Sequence, residues 1–222
     1  MTTSDSTTDT TTDSTGTTGT VTPELVVLLD EDGRAVGTAD KAGVHHADTP
    51  LHLAFSCYLF DDAGNVLVTR RALHKRTFPG VWTNSCCGHP APGEPLADAV
   101  RRRVEQELGT TVGDLRLVLP RFRYRAEQDG VVENEMCPVF VGLVSEAVPG
   151  DTSPAVSPDP DEVEDARWEP WSSFRESVLD GSRTVSVWCR EQVAQLPADP
   201  VSAVAADVAE LPPAARVVDV RP

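Results

Sequence analysis

The sequence predicts an α/β (α+β) fold, a sandwich of mixed β-sheet flanked by helices. Three observations predict it: several short apolar runs of strand length, one strongly amphipathic helix among them, and a helical region after the last strand-like run. Strands grouped around one helix and followed by further helices are typical of layers packed on a single core. With 222 residues, 40% of them hydrophobic, the chain is long enough to form that core.

The predicted strands are apolar runs bounded by turn residues. They cover residues 25–29, 53–60, 66–69, 115–119 and 139–144, and residues 165–168 are also strand-like. Glycine-containing turns at 63–65 and 128–130 each lie between two such runs, which indicates hairpins.

The clearest predicted helix covers residues 94–108. Its apolar residues recur every four positions and therefore form one face. They are Leu96, Val100, Val104 and Leu108. Pro95 suits the first turn, and Gly109 is placed to end the helix in a left-handed conformation. Two further helical stretches are predicted at 172–179 and 185–196.

The two ends of the chain differ in composition from the middle. Residues 1–22 are almost wholly Thr, Ser, Asp and Gly, which bury too little apolar surface to fold, so a disordered tail is expected. Residues 197–222 contain several prolines, and we expect a loose extension there, with a short helix or a docked strand as the alternative. The predicted globular domain therefore spans residues 23–196.

Charge and composition exclude several classes of partner. A net charge of −16 argues against nucleic acid or an anionic membrane surface. No apolar run approaches the roughly 18 residues of a membrane span, and no secretion signal is present, so a cytoplasmic protein with reduced cysteines is expected. Eleven of the nineteen Lys and Arg residues lie between Arg70 and Arg125, which indicates a local anion site.

A metal site is suggested by histidines and an acidic pair. His45, His52 and His89 lie in polar or strand-edge contexts, whereas a lone histidine is more often a surface or core residue. Three of them beside Glu133 and Glu135 suit Mn²⁺, Fe²⁺ or Zn²⁺. In a strand the two carboxylates would share one face, with Asn134 on the other. A solvated edge strand is the alternative for this triplet.

The segment around Cys87 and His89 contains Gly and Pro residues. A glycine has no side chain, so the backbone can approach a ligand closely there. A buried structural cysteine is the default interpretation of Cys87. A Cys–His nucleophile pair and proton transfer at a metal-bound substrate both stay open. A structural zinc site is disfavoured because the chain has no Cys-x-x-Cys pair.

The predicted helix carries a partial Nudix box, which has the spacing G-x5-E-x7-R-E-U-x-E-E-x-G-U from Gly88 onward. Arg103, Gln106 and Thr110 replace two glutamates and an apolar residue of that box. The carboxylates that bind several Mg²⁺ ions for diphosphate hydrolysis are therefore depleted to Glu107. Arg103 lies one turn before Glu107, where its guanidinium could meet a phosphate.

Five sequence blocks in order closely resemble the type I isopentenyl-diphosphate Δ-isomerase family, the flavin-independent enzymes of isoprenoid synthesis. They are LHLAFS at 51–56, TRRA at 69–72, PGVWTNSCCGHP at 79–90, FRYRA at 122–126 and ENEMCPVF at 133–140. The resemblance covers about residues 25–196 and implies a Nudix-like sandwich. A Nudix hydrolase of a nucleoside diphosphate derivative is the alternative.

The resemblance also implies two ions and no flavin. One ion, Mn²⁺ or else Mg²⁺ or Zn²⁺, would be surrounded by His45, His52, His89, Glu133 and Glu135. A second, Mg²⁺, would be held by Glu107, the carbonyl oxygen of Cys87 and the substrate diphosphate. The basic contacts to that diphosphate would be Lys41, Arg71, Lys75 and Arg103. The expected partner is thus a small diphosphate, bound by a monomer without nucleic acid or membrane.

The implied reaction adds a proton to C4 of isopentenyl diphosphate and removes one from C2, through a tertiary cation at C3. Cys87 and Glu135 correspond to the acid–base pair, and Tyr124 would assist Glu135 by a hydrogen bond. Trp188 would present its π-face to the cation, although it follows Val187 where bacterial relatives more often have Pro. The resemblance favours Cys87 over Cys86, because Cys87 lies two residues before His89, as the catalytic cysteine of the family does.

Overall fold

The strands and helices belong to a computed structural model that describes residues 24–145 and 153–216. In chain order the strands are β1 (Leu25–Leu29), β2 (Ala35–Asp40), β3 (His52–Leu53), β4 (Phe55–Phe60), β5 (Asn65–Arg71), β6 (Trp82–Thr83), β7 (Cys86–Gly88), β8 (Leu115–Leu119), β9 (Arg123–Gln128), β10 (Val131–Met136), β11 (Val139–Leu143) and β12 (Val163–Pro170). The helices are α1 (Lys41–Val44), α2 (Leu96–Leu108), α3 (Trp171–Leu179) and α4 (Val187–Gln195). The predicted tail, residues 1–22, lies outside the described residues.

Two mixed sheets form the sandwich, as predicted. One has the order β2-β1-β3-β10-β9, and the other has the order β12-β5-β4-β11-β8, with β6 paired to β5 and β7 paired to β4. The β3–β10 and β4–β11 pairs are parallel, whereas the remaining pairs are antiparallel. Helix α2 packs on β7 and β4, and helices α3 and α4 pack on each other.

Strand β4 is buried on both faces, which explains its continuous apolar sequence. Phe55 and Leu59 point into a core cluster shared with α2. Tyr58 and Phe60 point into the second cluster, with α3 and α4. Ser56 lies on the same face of β4 as Tyr58, and its hydroxyl lies 3.4 Å from the sulfur of Cys87.

Helix α2 begins at Leu96, two residues later than predicted, because Pro95 is the N-cap with extended backbone rather than part of the first turn. The helix ends as predicted: Gly109 has φ 60°, and its N–H donates to the Glu105 carbonyl. The four apolar residues predicted to form one face are all buried.

Strands β2 and β9, and the short strands β6 and β7, were not among the predicted strands. β2 is an edge strand of small, mostly exposed residues, so its sequence lacks apolar alternation. β9 pairs with β10 across the predicted turn at 128–130, where Gly130 has φ 77°. Its inward residues are only Tyr124 and Ala126, separated by charged side chains.

The described part of the C-terminal extension is not loose, contrary to the prediction for residues 197–222. Leu211 and Ala215 are 5% and 6% exposed and join the core cluster of α2. The Ala214 N–H donates to the Gly33 carbonyl at 2.9 Å. Gly33 has φ +79°, and a Cβ there would lie 2.8 Å from Pro212. The prolines prevent regular structure, yet two 3-10 turns at Val208–Glu210 and Pro213–Ala215 still bring apolar residues onto the domain.

Substituting Leu211→Ala is expected to lower the free energy of unfolding by about 2–3 kcal/mol, because it removes a buried side chain from the docked segment. Urea denaturation measures the change. Val208→Ala is the matched control, since Val208 is 68% exposed. Equal stability of the two variants would show that the segment contributes nothing to the fold.

Within the described ranges, no helix combines the length and apolar character required to cross a membrane.

Candidate active site

A cavity of about 720 Å³ opens where β7, β10, α1, α2 and α4 meet. All predicted site residues except His52 line it. They are Lys41, His45, Arg71, Lys75, Cys87, His89, Arg103, Glu107, Tyr124, Glu133, Glu135 and Trp188. His52 is fully buried and reaches the same group of side chains through Glu135. Residues that span 148 positions of the sequence therefore meet in one place.

Three histidines converge on one carboxylate oxygen. Glu135 Oε1 lies 3.1 Å from His89 Nε2, 3.4 Å from His52 Nε2 and 3.8 Å from His45 Nε2. One ligand atom from each of His45, His52, His89 and Glu135 can be chosen so that all four atoms lie within 4.8 Å of one another. Imidazole nitrogens and a carboxylate at these separations match the mixed ligand shell of a divalent transition metal.

The hydrogen bonds of the histidines support metal binding. His52 Nδ1 lies 2.9 Å from the Pro50 carbonyl, which can only accept, so this nitrogen carries a hydrogen and Nε2 is the nitrogen left to bind a metal. Within residues 24–145 and 153–216, buried Nε2 atoms of His45 and His52 have no hydrogen-bond partner. Burial also lowers the pKa of His89 to about 4, so its ring is neutral at neutral pH.

Strand β10 aims Glu133 and Glu135 at the cavity. Both side chains are buried on one face, whereas Asn134 points away and donates to the Thr49 carbonyl. Because β10 lies between β3 and β9, the solvated-edge alternative is wrong. Glu135 belongs to the tight group of four, and Glu133 lies outside it.

The Tyr124 hydroxyl lies 2.8 Å from Glu135 Oε2 and 2.9 Å from Glu133 Oε2. Burial alone would raise the pKa of Glu135, but its contacts with the three histidines outweigh burial and hold that pKa well below the usual range. Burial and the charge of Glu135 raise the pKa of Glu133. The two neighbouring carboxyls therefore differ in their affinity for a proton.

The two adjacent cysteines point to different surroundings. Cys87 lines the cavity, and its Sγ lies 3.4 Å from Ser56 Oγ and 3.3 Å from Asn84 Oδ1. Burial raises the pKa of its thiol to about 12, so the thiol is protonated at neutral pH. Cys86 is 2% exposed and its Sγ lies 3.5 Å from Glu107 Oε2. All five cysteines are free thiols, as expected.

Trp188, on α4, forms an aromatic wall of the cavity. Its ring packs edge-on against Phe78 at 5.2 Å and tilted against Tyr124 at 5.4 Å between centroids. The guanidinium of Arg71 lies 5.7 Å from the same ring. Ser186 caps α4 by accepting from the Cys189 N–H, so this helix starts correctly without a proline before the tryptophan.

The basic residues of the cavity are mostly paired with acids. Lys41 Nζ lies 2.6 Å from Glu24, Lys75 contacts Glu162, and Arg103 contacts both Glu107 and Glu162. Arg71 is different, since it donates to the carbonyl and hydroxyl of Thr77.

The sequence did not reveal several residues that line the cavity or contact a cavity residue. Glu162 was missed because it lies in an acidic run that resembles a solvated surface. Ser56 and Asn84 fall inside the resemblance blocks, but a serine or an asparagine carries no chemical signal of its own. Their roles depend on contacts with residues distant in sequence.

Glu107, in the last turn of α2, faces Arg103 and Cys86. Burial raises its pKa, despite the charge of Arg103. Helix α2 packs against β7, which holds Cys87. Glu107 and the Cys87 backbone thus belong to adjacent elements of the same cavity.

Comparisons with known proteins identify the family of this chain. The NUDIX domain family matches residues 50–189. An isopentenyl-diphosphate Delta-isomerase from Mycolicibacterium vanbaalenii is 64% identical over 180 residues, which cover 81% of this chain and 94% of that protein. One from Saccharopolyspora erythraea is 56% identical over 198 residues, covering 87% of this chain and 98% of that protein.

Solved structures support the fold. A crystal structure of a Deinococcus radiodurans protein has a TM-score of 0.57 at 17% identity and covers 78% of this chain and 98% of that one. A MutT protein from Methanosarcina mazei has a TM-score of 0.50 at 22% identity and covers 67% of this chain and 94% of its own. From the family match and the near full-length relatives, we conclude that this chain belongs to the isopentenyl-diphosphate Delta-isomerase family of NUDIX-domain proteins.

Proposed function

We infer that this chain is an isomerase that converts isopentenyl diphosphate to dimethylallyl diphosphate in isoprenoid biosynthesis. The observation that carries this function is the 64% identity to an isopentenyl-diphosphate Delta-isomerase across 94% of that protein. The cavity supports it, because a thiol, a carboxylate and an aromatic wall line the same space as four basic residues.

Cys87 and Glu135 are proposed as the pair that moves the two protons. One proton must be added at C4 and another removed at C2, so an acid and a base are needed on the two faces of the substrate. A protonated Cys87 thiol and an ionised Glu135 supply one group of each kind. The hydroxyl of Tyr124 orients the Glu135 carboxylate through its 2.8 Å hydrogen bond.

Trp188 is proposed to stabilise the tertiary cation at C3. An unactivated alkene is a weak base, so the cation needs an electron-rich neighbour and a site without water that could capture it. Trp188 is 1% exposed and its ring is held by Phe78 and Tyr124. These contacts favour a π-face that stays in place during the reaction.

Two metal ions are proposed. His45, His52, His89 and Glu135, with Glu133 as a fifth ligand, would hold Mn²⁺, or else Mg²⁺ or Zn²⁺. Glu107 and the Cys87 carbonyl would hold Mg²⁺ together with the diphosphate. Such ions supply positive charge that orients carboxylates and neutralises phosphate oxygens. No flavin is required by the proposed proton transfers.

The diphosphate is proposed to bind Lys41, Arg71, Lys75 and Arg103. Glu162 contacts both Lys75 and Arg103, so these two cationic side chains are held at the cavity before the substrate binds. We propose that the enzyme works on this small molecule as a cytoplasmic monomer, without nucleic acid or membrane as a partner.

Substituting Arg71→Lys is expected to raise KM for isopentenyl diphosphate about tenfold, with a smaller change in kcat. A lysine cannot reproduce the planar fork of donors that a guanidinium offers to phosphate oxygens. Arg70→Lys is the control, because Arg70 does not line the cavity and donates to the Gly80 carbonyl. Steady-state kinetics test both, and equal KM values in the two variants would remove Arg71 from the diphosphate site.

The hydrolase alternative predicts a different product. Arg103 and Gln106 replace two glutamates of the Nudix box, so the carboxylates required for hydrolysis are depleted. Incubating the protein with isopentenyl diphosphate and Mg²⁺ should yield dimethylallyl diphosphate without phosphate or pyrophosphate. Cleavage of a nucleoside diphosphate derivative to a nucleoside monophosphate, with no isomer formed from isopentenyl diphosphate, would favour the hydrolase.

A further inference from the structure

Asn84 lies in the short connection between β6 and β7 and has no solvent exposure. Its side-chain amide nitrogen donates to the carbonyls of Cys57 at 3.1 Å and Cys86 at 2.9 Å. Backbone carbonyls can only accept, so the NH₂ end must face them. The backbone of β4 and β7 therefore determines which way the amide points.

The side-chain oxygen of Asn84 consequently faces the cavity groups. It accepts from Trp188 Nε1 at 3.0 Å, from Cys87 Sγ at 3.3 Å and from Thr83 Oγ1 at 2.8 Å. An indole N–H can only donate, which independently requires an oxygen at this position. Both hydrogen-bonding ends of the amide thus agree on one orientation.

Asn84 links two parts of the cavity that are far apart in sequence. Cys87 lies in β7, whereas Trp188 lies in α4. Among the residues that the structure describes, Asn84 is the one side chain hydrogen-bonded to both. Ser56 contacts the Cys87 thiol from another side, but its other hydrogen-bond partners are Cys137 and Gln192.

We propose that Asn84 is a positioning residue that fixes the Cys87 thiol relative to the face of Trp188. This inference rests on the proposed isomerisation, in which the thiol exchanges a proton with the substrate and the indole faces the adjacent cation. The two groups must act on atoms only a bond or two apart. A displacement of about 1 Å can lower a rate on the order of 10²-fold. The one acceptor that the Cys87 thiol and the Trp188 indole share therefore keeps both groups in position.

The test compares Asn84→Ala with Thr83→Val. Thr83→Val removes another buried hydrogen bond to the same oxygen, plus one to Ser186, while the bonds to Cys87 and Trp188 stay. Asn84→Ala is expected to lower kcat about 10²-fold with KM within about threefold of wild type, because the diphosphate contacts are unchanged. Thr83→Val is expected to keep kcat within about threefold.

A nuclear magnetic resonance readout reports the position of the indole directly. The ¹⁵N-labelled protein has four tryptophan indole N–H groups, and those of Trp168 and Trp171 donate to backbone carbonyls. Asn84→Ala should shift the Trp188 resonance and speed its exchange with D₂O, with the resonances of Trp168 and Trp171 unmoved. In the wild type that exchange should be slow, and this measurement needs no variant that might misfold.

Three results would overturn the inference: fast exchange of the Trp188 indole in the wild type, an Asn84→Ala enzyme with wild-type kcat, or equal losses in Asn84→Ala and Thr83→Val. A wild-type protein that is inactive on isopentenyl diphosphate would instead overturn the proposed function, and the kinetic role of Asn84 with it. Wild-type activity in the same assay therefore separates the two failures.

Discussion

Cys87→Ala is expected to lower kcat by about 10²–10⁴-fold, the usual contribution of a general acid or base. The thiol that lines the cavity would be replaced by a methyl group that can neither donate nor accept a proton. Substrate binding should change little, because the basic residues around the diphosphate do not contact this sulfur. Isomerisation kinetics over a range of isopentenyl diphosphate concentrations measure both quantities.

Cys86→Ala is the matched control for this prediction. The two cysteines are adjacent, both buried or nearly so, and equal in size, yet Cys86 points toward Glu107. Its alanine variant should keep most of the wild-type kcat. Comparable losses in both variants would mean that the two thiols act together, and activity retained only in Cys87→Ala would assign the chemistry to Cys86.

His52→Ala is expected to reduce affinity for the divalent ion by more than about 10²-fold, since even residues that only support a metal ligand contribute 10–100-fold. The imidazole is fully buried, and its Nε2 faces Glu135 at 3.4 Å. Activity should fall with the metal content because Glu135 loses the arrangement that orients it. Elemental analysis after dialysis measures the metal, and circular dichroism checks the fold.

His74→Ala serves as the control for histidine removal. His74 lies on the surface, 64% exposed, near Asp161. This variant should retain both metal and activity. A folded His52→Ala protein with full metal content would exclude His52 from the ligand set and require a different explanation for the convergence of the three rings.

Local patterns predicted much of the fold. Strand β4 was recognisable because both of its faces are buried, and α2 because its apolar residues recur every turn and Gly109 ends it. Strand alternation alone predicted that Glu133 and Glu135 share one face, but it left open whether that face is buried or solvated. Each of these predictions depends on a few neighbouring residues, because the geometry of a strand or helix determines which of its side chains share a face.

Contacts between segments that are distant in the chain could not be predicted from the sequence. The docking of Leu211 depends on Gly33, nearly 180 residues earlier in the chain. The pairing of Glu162 with Lys75 and Arg103 makes an acidic run part of a basic site. Asn84 meets Trp188 only when α4 brings that ring next to the connection between β6 and β7. The sequence pointed to the groups that we propose to carry the chemistry, whereas the side chains that hold them in place required the three-dimensional structure.

The proposed reaction is tested most directly by incubating the purified protein with isopentenyl diphosphate and Mg²⁺ in D₂O and following ¹H and ²H resonances. Protonation at C4 by an enzyme group that exchanges with solvent predicts dimethylallyl diphosphate with deuterium in a methyl group, and no phosphate release. Hydrolysis without isomer, or an unlabelled substrate that persists with fully metallated protein, would contradict the account.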